Sequence, residues 1–114
     1  FEYVCVAIGA YGTRPFPLEG DNPSVMASLD FLQAFNRDPA SISIGRVIAV
    51  VGAGDTAMDT ARAALKVPGV EKSYIIYRRA QEQMPASREE YEDALAAFDE
   101  AGLEHGWRQE HACE

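Results

Sequence analysis

The sequence is poor in cysteine, histidine, tryptophan and positive charge. Its two cysteines, Cys5 and Cys113, stand near opposite ends of the 114 residues. They make no C-x-x-C pair, no zinc-ligand spacing and no disulfide framework, so no metal site is expected. The two histidines, His105 and His111, are isolated and read as surface groups, and the single tryptophan, Trp107, reads as a packing group. Ten Lys and Arg stand against 18 Asp and Glu, a formal net charge of −8. That balance argues against nucleic acid or an anionic membrane as a general partner. No apolar run has the length of a membrane span, and there is no signal peptide. A cytoplasmic location is expected. The chain opens without Met, inside a strand-like run from Tyr3 to Ile8, and reads as a piece of a larger protein. Internal repeats and low-complexity segments are absent.

What is present centres on Val47 to Ala57. Five apolar residues, Val47-Ile48-Ala49-Val50-Val51, run directly into Gly52-Ala53-Gly54-Asp55-Thr56-Ala57. So short a run, bounded by glycine, predicts a strand buried on both faces. Gly52, Gly54 and Ala57 fit G-x-G-x-x-A. Gly52 allows a tight turn, Gly54 lets a pyrophosphate approach the backbone, and Ala57 lets the next helix pack closely on the strand. The N–H groups and positive end of that helix would face the phosphates. Ala57, Met58, Ala61, Ala64 and Leu65 share one helical face, and Pro68-Gly69 stops the helix. Ser73 to Tyr77 is a second strand, which completes a β-α-β unit.

Other elements follow the same alternation. Gly9 to Asn22 reads as loop. Ser24 to Phe35 reads as an amphipathic helix with Met26, Leu29, Leu32 and Phe35 apolar. Ser87-Arg88-Glu89-Glu90 has capping-box form and opens a helix with Tyr91, Ala94, Leu95, Phe98 and Ala101 on one face, ended by Gly102. Leu103 to Trp107 is a third strand. The fold class expected is α/β, a Rossmann-like parallel sheet with flanking helices, and ligand should bind beyond the carboxyl ends of its strands.

The second strand ends at Tyr77-Arg78-Arg79, with no acid before Glu82. An acid at this place takes ribose hydroxyls and repels a 2′-phosphate, whereas an arginine pairs with one. The pattern therefore favours NADPH over NADH. The plainer reading makes both arginines solvated charges or partners of the acidic stretch Glu89 to Asp93, Arg79 more so than Arg78. Asp55 suits a helix start but not a phosphate neighbour, so it should point away from the ligand. Thr56 can give its hydroxyl to phosphate or cap the helix; both stay open.

Val50-Val51-Gly52-Ala53-Gly54-Asp55-Thr56-Ala57-Met58-Asp59, then Tyr77-Arg78-Arg79, then Met84-Pro85-Ala86-Ser87-Arg88-Glu89-Glu90 resembles the small (beta) subunit of NADPH-dependent glutamate synthase. Related flavoproteins are the amino-terminal part of dihydropyrimidine dehydrogenase and the large subunit of the bifurcating ferredoxin:NADP oxidoreductase. Ala7-Ile8-Gly9, with Arg14-Pro15 and Gly20, resembles the handover from an FAD domain to an inserted NADPH domain. The resemblance implies residues 1–20 at the edge of the FAD domain and 21–114 as an NADPH-binding domain, incomplete at its carboxyl end. It implies hydride transfer from NADPH to FAD, then electron flow through iron–sulfur clusters to a large partner subunit. By position Gly52, Ala53, Gly54, Asp55 and Thr56 match the pyrophosphate turn, Arg78 and Arg79 the 2′-phosphate site, and Gly9 a glycine near flavin and nicotinamide. No catalytic residue is assigned. The cysteine-rich segment and the FAD glycine motif of that family are missing, so the chain alone should be inactive.

Other dinucleotide enzymes fit less well. Thioredoxin reductase keeps a C-x-x-C in this domain, and short-chain dehydrogenases need Tyr-x-x-x-Lys, whereas Leu95 stands four residues after Tyr91. A methyltransferase would place an acid where Arg78 stands. The competing function class is a non-catalytic nucleotide-binding or interaction module.

Overall fold

The computed structural model describes Gly20 and residues 23–103. The expected strand from Tyr3 to Ile8, Gly9, Arg14-Pro15, both cysteines, both histidines and Trp107 lie outside the described residues, as does the proposed third strand beyond Leu103.

Helix α1 (Ser28–Arg37) comes first, then a 3-10 turn (Pro39–Ser41), strand β1 (Val47–Val51), helix α2 (Asp55–Leu65), strand β2 (Lys72–Ile76), a second 3-10 turn (Gln81–Gln83) and helix α3 (Arg88–Glu100). β1 and β2 are parallel, in register from Val47 opposite Lys72 to Val51 opposite Ile76. Parallel neighbours need a crossover, and α2 provides it. The expected β-α-β unit is therefore present, with β2 one residue earlier than expected.

Alanine brings α2 close to the sheet. Ala57 and Ala61 pack with Val50 of β1 and Phe98 of α3, and Ala61 is fully buried. On its other flank Ala63 and Ala64, with Val67 just beyond the helix, receive Phe31 of α1. α2 ends at Leu65, and Gly69 turns the chain at φ +89° before β2. α3 ends in a Schellman motif. Leu103 N–H reaches Phe98 O, Gly102 N–H reaches Asp99 O, and Gly102 takes φ +67°.

Two expectations need correction. β1 is not buried on both faces: Val50 is 5% exposed, but its neighbour Val51 is 57% exposed. Ile48 and Val50 point at the helices, and Val47, Ala49 and Val51 point away from them. Among the described residues the helices cover one face of the sheet only, so alternate side chains lack cover. The first helix also starts later than expected, at Ser28. Met26 falls before it and is exposed, and the stripe is anchored by Phe31, which stacks on Phe35 one turn on, ring centroids 6.2 Å apart.

Candidate functional site

The site forms where β1 runs into α2. Gly52 takes φ +124°, a conformation that L side chains rarely adopt, and its N–H is held by Ile76 O of β2 at 2.9 Å. The turn is thus fixed to the sheet at its first residue. Ala53 is buried, and its carbonyl accepts the Ala86 N–H at 3.0 Å. Gly54 is the N-cap of α2, in extended conformation, and its carbonyl accepts from both Ala57 and Met58 N–H. Among the described residues, its two chain neighbours aside, no atom lies within 4 Å of where a Cβ on Gly54 would stand. The fold itself leaves that side open.

No side chain caps α2. The N–H groups of Asp55 and Thr56 precede the first intrahelical bonds, and with the positive end of the helix they suit an anion. Thr56 sits inside the helix at its second residue, past the cap, so capping is not its role; its own carbonyl accepts the Thr60 hydroxyl at 2.7 Å. Asp55 turns to the protein: its Oδ1 accepts the Ser87 N–H at 2.7 Å.

Arg78 and Arg79 follow β2 after Tyr77 and are exposed. Among the described residues the ion pairs belong to Arg46, Arg62 and Arg88, and neither Arg78 nor Arg79 takes part. Three acids of α3 are engaged elsewhere. Glu90 and Asp93 reach Arg62 of α2 at 3.0 and 3.4 Å, and Glu92 binds Arg88. Glu90 carries strain of its own: the Asp59 carboxylate, and then partial burial, hold its carboxyl above the ordinary value, against the pull of Arg62.

Sequence reasoning missed the underside of the site. Tyr77, Met84, Ala86 and Tyr91 pack on Ala53, Met58 and Ala94. The Tyr77 hydroxyl donates to Gln83 O at 2.7 Å, and Gln81 Nε2 donates to the Tyr91 hydroxyl at 2.9 Å. The signal was the Met84-Pro85-Ala86 segment, which reads as plain loop until its neighbours are known. Gly9 lies outside the described residues.

A glycine turn between parallel strands, an uncapped helix start beside it and two arginines at the end of the next strand define a Rossmann-type dinucleotide-binding domain. The chain belongs to the pyridine nucleotide-disulphide oxidoreductase family, which it matches over residues 1–110. Its relatives include a protein of Escherichia coli K12 provisionally named oxidoreductase YgfK, 54% identical over 95 residues, covering 83% of this chain and 9% of the relative. The NADPH-Fe(3+) oxidoreductase subunit beta of Geobacter sulfurreducens is 35% identical over 108 residues, with 90% and 15% covered. The glutamate synthase [NADPH] small chain of Azospirillum brasilense is 31% identical over 117 residues, with 92% and 23% covered. The resemblance read from the sequence is therefore borne out. The chain spans about a tenth to a quarter of the length of these relatives.

Proposed function

We propose that this chain binds the adenosine and pyrophosphate end of NADPH within a longer flavin-dependent oxidoreductase. The observation that carries the reading is the end of β2: two exposed arginines outside every ion pair described, and no acid before Glu82. NADPH and NADH share the pyrophosphate, so the glycine turn cannot tell them apart. The 2′-phosphate can be recognised only by groups at the ribose, where Arg78 and Arg79 supply several donors each.

The residues fit the group proposed. Gly52 sets the turn, the open side of Gly54 admits a phosphate, and the first N–H groups of α2 complete the cradle. Bound NADPH supplies a hydride. In the parent protein the proposed route is to FAD, then through iron–sulfur clusters to a partner subunit. The names of relatives, an NADPH-Fe(3+) oxidoreductase subunit and a glutamate synthase [NADPH] small chain, support the choice of nucleotide. This chain's part is to bind and orient the nucleotide.

Titration calorimetry with both nucleotides tests the reading. A charge-assisted hydrogen bond of roughly 1.5–3 kcal/mol corresponds to about ten- to a hundred-fold in affinity. Arg78→Ala should weaken NADPH by about that factor and leave NADH nearly unchanged. Equal affinities for the two nucleotides in the unmutated chain would show that the arginines do not read the 2′-phosphate.

A further inference from the structure

The Asp55 carboxylate occupies an unusual place. Ser87 is the N-cap of α3, and its hydroxyl accepts the Glu90 N–H. In a complete capping box Glu90 would return its carboxylate to the Ser87 N–H. Here Arg62 of α2 holds Glu90 at 3.0 Å, and Asp55 takes the Ser87 N–H instead, from 32 residues earlier. One residue before, Ala86 N–H goes to Ala53 O. Two adjacent hydrogen bonds thus tie Ala86-Ser87 to the glycine turn, one neutral and one charge-assisted. Asp55 is also the first residue of α2 beside the start of α3, so the positive ends of two helices favour its charge.

The loop between β2 and α3 closes on itself around Arg78 and Arg79. The Tyr77 hydroxyl closes on Gln83, Gln83 and Met84 N–H bond back to Ala80 and Gln81, and Met84 and Ala86 sit on the core. Arg78 and Arg79 ride on this closed loop. We propose that Asp55 is a positioning residue: by holding the Ser87 N–H it locks the arginine loop against the phosphate turn, and so sets 2′-phosphate selectivity without touching the nucleotide. The proposal rests on the NADPH reading above. A loop locked beforehand loses less freedom when the 2′-phosphate arrives, and the gain falls on NADPH alone.

Amide hydrogen exchange and calorimetry on the full chain test it together. Asp55→Ala should exchange the Ser87 amide about tenfold faster, the factor that corresponds to one such hydrogen bond. It should also lower the ratio of NADPH to NADH affinity, by about three- to tenfold. Asp55→Asn keeps an acceptor oxygen and should keep both values. Ser87→Pro reads the bond from the other side: it removes the N–H at φ −62°, which a proline ring permits, whereas Ser87→Ala removes only the hydroxyl. Only the proline variant should lower the ratio. An unchanged ratio or unchanged Ser87 exchange in Asp55→Ala would overturn the proposal, as would Asp55→Asn losing selectivity as fully as alanine. Equal affinities in the unmutated chain would dispose of the arginine reading itself, a separate result.

Discussion

Gly52 and Gly54 both stand in the turn, but glycine answers a different need at each. Gly52 has φ +124°, so any Cβ there meets backbone strain whatever the space. Gly52→Ala should cost about 1–3 kcal/mol of stability, read from urea denaturation. Gly54 has an ordinary φ of −89° and nothing within 4 Å of a Cβ. Gly54→Val should leave a folded domain, seen by circular dichroism, yet abolish nucleotide binding, because its methyl groups fill the path of the pyrophosphate. Unchanged affinity in this variant would place the phosphates elsewhere. The requirement at Gly52 comes from the fold, and on the proposed reading the requirement at Gly54 comes from the ligand. The tight turn read from the sequence at Gly52 is the one the structure has, because a strand that runs into G-x-G leaves few geometries.

At the scale of elements, α2 and α3 are joined by one cation and three acids: Arg62 with Asp59, Glu90 and Asp93. Glu90 is held above its ordinary carboxyl value, first by Asp59. The folded state then binds more protons than the unfolded one in the window just above the ordinary carboxylate range. Stability from this group is present below that window and is lost as pH rises through it. Glu90→Gln removes the titration. Its stability relative to the unmutated chain should therefore improve as pH rises through the window just above the ordinary carboxylate range. Melting temperatures across that range check the slope, and a flat difference would show that Asp59 does not press on Glu90.

The same elements show what could be read beforehand. β1, α2, β2 and α3 were legible, because apolar period, glycine stops and the Ser87 cap agree locally. Half of the capping box was legible too. Its other half was not, since only the packing of α2 on α3 brings Arg62 to Glu90 and Asp55 to Ser87. Phe31 anchors the helix where the sequence offers Met26, because the true start at Ser28 has no side-chain cap to mark it. The open face of β1 was unreadable for the opposite reason: five apolar residues look alike whether one or both faces are covered.

Taken whole, the described residues form one sheet face with three helices and one candidate site at its carboxyl edge. No helix among the described residues is long and apolar enough to cross a membrane. No second glycine motif is available to hold an FAD pyrophosphate. The purified chain should therefore show no absorption above about 400 nm, where a bound flavin would be the absorbing cofactor. A stoichiometric yellow flavin would contradict that expectation.

Each rung of the β1–β2 ladder joins residues 25 positions apart, from Val47 with Lys72 to Val51 with Ile76. Between them lies α2, whose Ala61 is fully buried. Closing so long a loop before any helix exists would cost entropy with no contact to offset it. The crossover helix should therefore already be formed when the strands first meet. Ala61→Gly weakens the helix by about 1 kcal/mol, and refolding should slow by roughly fivefold while unfolding hardly changes. Stopped-flow kinetics would read the two rates separately. The helix that follows the glycine turn is then also the element that times the fold.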